Sequence, residues 1–296
     1  MPSAVPEHQR TADNHSVDDI KNVTELFVLA QERLDEGQRD LSNYIHGKGK
    51  AKIEETIALT WEMRKAKDDL KRKTMSRMEI LGEYLNEGCV EGCDGKWYDL
   101  AIDLITQNEL QPFFFAKAVW DLLKRGRKKH LNLMITGPSN CGKTFLLQPL
   151  HDIFKVFANP AQNKFAWKGI EDAEVIFLND FHWSAELIPF DTFLRLLEGD
   201  KQVKLSSPKN HFSQDILLTG DAPVFATSGA SIKYSGSEPN PDELTKHMDN
   251  RWNVLKFFKV IKQEDEKEVP SCKACFANLV KLGDVAPGSE VHLSQF

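Results

Sequence analysis

From Asn22 to Leu85 apolar residues recur among lysines and glutamates at helical spacing. Phe27, Leu34 and Leu41 repeat at seven, Ile53, Ile57 and Trp61 at four, and Met78, Leu81 and Leu85 continue the stripe. Gly47 and Gly49 divide the stretch into two helices. A narrow stripe on long charged helices has two readings: a hairpin that covers its own core, or an oligomerisation collar in which helices of several chains associate. From about Asp94 to Lys262 the pattern changes, and short continuous apolar runs alternate with helical stretches. The runs Leu131 to Thr136, Phe165 to Trp167, Val175 to Asn179, Pro223 to Thr227 and Val254 to Phe258 predict strands. Runs this continuous suit strands buried on both faces, hence an α/β domain with a mainly parallel sheet flanked by helices. Gln111 to Lys128 predicts a helix feeding the first strand. The chain thus reads as a polar, disordered leader (1–21), a helical segment (22–93), the α/β domain (94–262) and a polar, peripheral tail (263–296).

Composition narrows the setting. A hydrophobic fraction of 41% and a charged fraction of 28% over 296 residues fit a soluble globular protein. No run approaches the roughly 18 apolar residues of a membrane span, and the first residues contain no apolar signal-peptide core. The five cysteines suit a reducing, intracellular compartment better than a disulfide framework. A net charge of −6 excludes a wholly basic nucleic-acid coat but leaves room for a local basic channel.

The most specific chemistry follows the first predicted strand. Leu131 to Thr136 runs into Gly137, Pro138, Ser139, Asn140, Cys141, Gly142, Lys143 and Thr144, which is the G-x-x-x-x-G-K-T phosphate loop between a strand and a helix. The glycines let backbone N–H groups turn toward phosphates, and the helix start adds the positive end of its dipole. Lys143 then reaches the β and γ phosphates of a nucleoside triphosphate, and the Thr144 hydroxyl ligates Mg2+. Pro149 falls within the following helix and must interrupt its hydrogen bonding. About thirty residues on, the apolar strand Val175 to Leu178 ends in Asn179 and Asp180. A carboxylate there holds magnesium or orients the attacking water. No Asn-Lys-x-Asp guanine segment and no convincing basic kinase lid is found, which argues against a GTPase and a small kinase and leaves a motor ATPase as the expectation.

In this order the segments resemble the superfamily 3 helicases of small DNA viruses, such as the parvovirus non-structural replication proteins. The run Trp167-Lys-Gly-Ile170 with Val175 to Phe181 is also similar to the replication proteins of circular single-stranded DNA viruses. The resemblance spans roughly Pro112 to Phe258 and implies an AAA+-like P-loop core. It further implies a homo-oligomeric, hexameric ring on single-stranded DNA, driven by ATP hydrolysis. Leu196 to His211 matches the segment whose lysine-bearing hairpin faces the DNA channel, which carries DNA binding over to Lys204, Lys209 and His211. Such lysines contact phosphate without reading sequence. Met248 to Trp252 resembles the segment of the arginine finger and assigns that role to Arg251. The catalytic set is then Lys143, Asp180 and Arg251, with Thr144 and Asp180 on the metal. Two positions depart from the family pattern. Asn179 stands where one of an acidic pair is usual, and Gly229, after Thr227-Ser228, stands where the family has the asparagine that senses the γ-phosphate. The alternative is therefore a catalytically decayed nucleotide-binding protein that still binds DNA or assembles.

Other signals remain. Cys272-x-x-Cys275 has metal-ligand spacing, and Cys89-x-x-x-Cys93 offers two further thiolates for zinc; buried free thiols are the alternative. Cys141 lies where a helix start lowers a thiol pKa. Lys124 to His130 reads either as a nuclear-import signal or as the basic rim of a DNA channel. No His-hydrophobic-His motif occurs in residues 1–130, so no DNA-nicking activity is expected of this chain.

Overall fold

A computed structural model describes residues 20–159, 166–200, 202–205, 215–232 and 241–284. The chain divides into two compact units, Met1–Thr74 and Met75–Phe296. The division lies ahead of the boundary near residue 93 expected from composition, because the stripe at Met78, Leu81 and Leu85 packs with the α/β unit.

Among the described residues the first unit has three helices rather than the two expected, α1 (Val23–Asp35), α2 (Asp40–Lys48) and α3 (Lys50–Thr74), with a further break at Gly37, whose φ is 88°. Asn22 caps α1 by accepting from the Glu25 N–H at 3.0 Å. Val23, Leu26 and Ile53 form a small core, and Trp61 donates its indole N–H to the Ile20 carbonyl at 2.7 Å. Ile53, Ile57 and Trp61 thus use one face of α3. Leu59, Met63 and Leu70, on other positions of the same helix, are 55%, 67% and 68% exposed.

The second unit begins with α4 (Arg77–Glu83), α5 (Lys96–Gln107) and α6 (Pro112–Arg125). Ser76 and Glu79 form a capping box at the start of α4, and Pro112 opens α6 where its missing N–H costs nothing. The order then runs β1 (Asn132–Thr136), α7 (Lys143–Leu147), α8 (Pro149–Ile153), β2 (Val156–Ala158) and β3 (Val175–Leu178). It continues with α9 (Phe190–Glu198), β4 (Val203–Leu205), β5 (Ile216–Leu218), β6 (Val224–Ser228), α10 (Pro241–Asp249), β7 (Trp252–Lys256) and α11 (Lys273–Lys281). Five strands form one sheet in the order β2-β3-β6-β1-β7, every neighbouring pair parallel, while β4 and β5 make a separate antiparallel pair.

Alternate side chains of each central strand serve different cores. Leu133, Ile135, Val175, Phe177 and Phe225 face the cluster built by α4 to α8 and α11. Met134, Ile176, Leu178, Val224 and Ala226 face the cluster built by α9 and the β4–β5 pair. Burial on both faces is what the continuous apolar runs predicted. Four strands appear where expected. The run at 165–167 does not: Trp167 lies in a turn, stacked on Phe157 at 5.8 Å with its N–H on the Leu187 carbonyl at 2.9 Å, and Phe165 lies outside the described residues. The expected kink is a break, with Pro149 opening α8 as its first residue after Gln148.

The stretch read as a peripheral tail instead completes the core. Ala274, Phe276, Ala277, Leu279 and Val280 of α11 are buried, and Phe276 meets Trp97 edge-on at 6.0 Å.

Candidate nucleotide site

The loop from Gly137 to Gly142 leaves the interior strand β1, which lies between β6 and β7, at its carboxyl end. The Gly137 N–H donates to the Ser228 carbonyl at 3.0 Å, and the Phe257 N–H donates to the Thr136 carbonyl at 2.7 Å. A Cβ on Gly137 would lie 2.2 Å from the Phe257 oxygen, so only glycine allows this approach. Gly142 is left-handed at φ 82°, and a Cβ there would press on Leu104. Between them Pro138, Ser139 and Asn140 are exposed, while Cys141 is buried with its thiol donating to the Pro138 carbonyl at 3.1 Å. Burial removes Cys141 from the exposed, reactive class.

Lys143 begins α7 and is only 6% exposed. Its ammonium curls into the loop and donates to the carbonyls of Gly137 at 2.9 Å and Pro138 at 2.6 Å. Thr144 donates its hydroxyl to Asn179 Oδ1 at 2.8 Å, and the Thr227 hydroxyl donates to the same atom at 2.8 Å. Thr227 Oγ1 in turn accepts the Asp180 N–H at 2.8 Å. The ends of β1, β3 and β6 therefore converge on one amide oxygen. The side chain that meets Thr144 is Asn179 rather than Asp180, whose carboxylate is exposed and whose backbone has φ 46°. Gly229 follows β6 in the open, and a Cβ there would meet nothing within 4 Å.

Two asparagines frame the loop: Asn108, which sequence reasoning passed over, and Asn140, which it read only as a member of the phosphate loop. Asn108, 2% exposed, accepts the N–H groups of Phe258 and Lys259 at 2.8 and 2.9 Å. Asn140 itself donates to the Ile261 carbonyl at 2.8 Å and to Glu266 at 2.7 Å. Residues 257–266 thereby border the phosphate loop, which no local motif signals because the ties are single amides far apart in sequence.

The remaining assigned residues lie elsewhere. Lys204, on β4, pairs with Asp215 at 2.7 Å with its side chain 71% exposed. Lys209 and His211 lie outside the described residues. Arg251 is 6% exposed, ion-paired to Glu198 of α9 and donating to the His247 carbonyl within its own chain. That environment departs from the finger role, which needs a guanidinium free to reach another subunit. In the basic run, Arg127 is 1% exposed and donates to the carbonyls of Leu196, Asp200 and Gly220 at 2.7, 3.0 and 2.6 Å. Burial pulls its pKa down, and it joins α9 to the 220–221 turn. An import signal or channel rim would have to use Lys124, Arg125, Lys128, Lys129 and His130, which are exposed.

A phosphate loop leaving an interior strand of a five-stranded parallel sheet flanked by helices defines a P-loop NTPase core of the AAA+-like kind. Among solved structures, the chain is similar to the C-terminal region (305–718) of NrS-1 in its apo form, with TM-score 0.44 and 13% identity over 69% of this chain and 49% of that one. It is also similar to a JCV helicase bound to an acetamide compound, with TM-score 0.39 and 16% identity over 77% of this chain and 64% of that one. The chain thus spans less than two thirds of the length of either. No protein-family model and no curated protein sequence matches it. The fold assignment rests on this chain's own strand order and loop. No helix among the described residues is long and apolar enough to cross a membrane.

Proposed function

We propose that the chain binds ATP with magnesium at the 137–144 loop and acts as a DNA-dependent ATPase of the helicase kind, assembled as a homo-oligomeric ring on single-stranded DNA. The observation that carries the reading is the convergence of Lys143, Thr144, Asn179 and Thr227 at the carboxyl ends of β1, β3 and β6. Ligands of open α/β sheets bind at those ends. The residues fit magnesium–triphosphate in kind: a cation held within the loop, a hydroxyl beside it, and glycines at Gly137 and Gly142 where a Cβ would meet Phe257 backbone and the Leu104 side chain. Lys143 and Thr144 would hold the phosphates and the metal, with Asn179 and Thr227 fixing the Thr144 hydroxyl. The metal supplies charge that stabilises the transferring phosphoryl group. The exposed Asp180 carboxylate remains free to orient water. Arg251 enters as a strut between α10 and α9 rather than as a finger.

Self-association rests on α3. Leu59, Met63, Ala66 and Leu70 follow the 4-3-4 spacing of a coiled-coil seam and are all exposed. A second copy presenting the same seam is the occupant that spacing suits. DNA contact is assigned to Lys204 and to the segment bearing Lys209 and His211.

A second reading, nucleotide-gated assembly without hydrolysis, is favoured by the amide at Asn179 and by Gly229. Steady-state ATP turnover with and without single-stranded DNA separates the two. The first reading expects turnover that DNA stimulates. Binding without turnover selects the second reading, and absence of ATP binding rejects both.

A further inference from the structure

Away from the nucleotide loop, four of the five cysteines meet. The sulfurs of Cys89, Cys93, Cys272 and Cys275 all lie within 4.8 Å of one another. Cys89 to Cys275 is 3.5 Å and Cys93 to Cys275 is 3.7 Å, across 186 and 182 residues of chain. We infer that these four side chains bind one zinc ion as a tetrathiolate, fastening the turn before α5 to the first turn of α11.

Geometry argues first. A tetrahedron with zinc–sulfur bonds of about 2.3 Å has sulfur–sulfur edges of about 3.8 Å, close to the 3.5 and 3.7 Å separations, and no pair lies beyond 4.8 Å. All four are free thiols, and a disulfide would need sulfurs about 2.05 Å apart. Sulfurs this close leave room for one ion. An all-sulfur tetrahedral set selects zinc among the common divalent ions, or iron in its place.

The backbone around the sulfurs argues second. Gly92, Asp94 and Gly95 are left-handed at φ 79°, 45° and 82°, wrapping the chain tightly about Cys93. The Cys93 N–H donates to the Val90 carbonyl at 3.1 Å, and the Cys93 carbonyl accepts from Lys96 at 2.8 Å.

Placement argues third. Cys93, Cys272 and Cys275 are buried while Cys89 is exposed, which gives a closed site with an entry path. Cys272 is the N-cap residue of α11, the helix that returns a charged terminal stretch to the core. A metal there adds a fixed link beside the Trp97–Phe276 contact that α5 and α11 already make.

The test is elemental analysis of the full chain, purified without added metal or chelator. About one zinc per chain is expected. Cobalt exchanged into the site should give thiolate-to-metal charge-transfer bands and the intense visible bands of a tetrahedral ion. Cys89→Ser and Cys272→Ser should each lose the zinc, whereas Cys141→Ser, outside the cluster, should keep it. If the serine variants do not fold, the parent chain's metal content still decides. A parent without metal, with iron in place of zinc, or with these cysteines paired as disulfides on non-reducing peptide mapping would overturn the inference.

Discussion

At the residue scale, the candidate nucleotide site departs from an acidic-pair ATPase at Asn179 and Gly229. Asn179 Oδ1 accepts from two hydroxyls, and an aspartate oxygen in the same place would accept both without rearrangement. A side chain at Gly229 meets no neighbour within 4 Å. Asn179→Asp with Gly229→Asn should therefore fold normally and raise ATP turnover about tenfold, worth about 1.4 kcal/mol of barrier. Added Asp180→Asn should remove that gain; a double variant no faster than the parent would remove Asn179 and Gly229 as the limiting positions. Arg251 separates two magnitudes. As a strut, Arg251→Ala leaves Glu198 without its partner and should cost about 3 kcal/mol of stability by denaturant titration, near the lower end for buried pairs because Glu198 is one-third exposed. As a finger acting on a neighbour's nucleotide, it should leave stability unchanged and cut turnover by roughly 10³ to 10⁵. The loop residues were legible in the sequence because their spacing is the chemistry. Asn108 and the choice of Asn179 over Asp180 were not, since each depends on where distant strand ends meet.

At the element scale, periodicity identified what was long or buried on both faces and missed what was short. Strands β1, β3, β6 and β7 announce themselves as apolar runs, whereas β2 has three residues and follows a helix directly. The nine residues of α11 are apolar enough to fill a core, yet the charged stretches around them gave a polar average. The α4 and 220–221 segments carry a similar long-range tie. Arg77 grips Asp221 through two bonds of 2.8 and 3.0 Å and also donates to the Leu123 carbonyl. The Arg77 contact holds the Asp221 carboxyl below the usual carboxylate range. Because the folded pKa is the depressed one, the contribution is full above about pH 5 and is lost as pH falls through the lowered value. Asp221 is 68% exposed, so solvent screening limits the effect to about 1 kcal/mol. Asp221→Asn should lower the denaturation midpoint at pH 7 and converge with the parent at strongly acidic pH. Parallel curves across that range would contradict the ion-pair account.

For the whole molecule, the α3 seam and the nucleotide site make one joint claim. If rings form through Leu59, Met63, Ala66 and Leu70, Met63→Glu with Leu70→Glu should leave a folded monomer in sedimentation, and it should abolish any rise of turnover per chain with concentration. An assembly indifferent to both charges would move the interface elsewhere. The two readings of the helical stripe, own core or collar, were both open in the sequence: Ile53 and Ile57 of α3 pack into the unit's own core, while Leu59, Met63 and Leu70 stay exposed. Ring or monomer, decayed or active, every version of the account requires triphosphate at Lys143. Equilibrium titration of the parent chain and Lys143→Ala with a fluorescent ATP analogue tests this directly. Loss of one charge-assisted contact of about 1.5 to 3 kcal/mol predicts roughly 10- to 100-fold weaker binding in a variant that melts like the parent. Equal affinity in the two folded proteins would contradict the site.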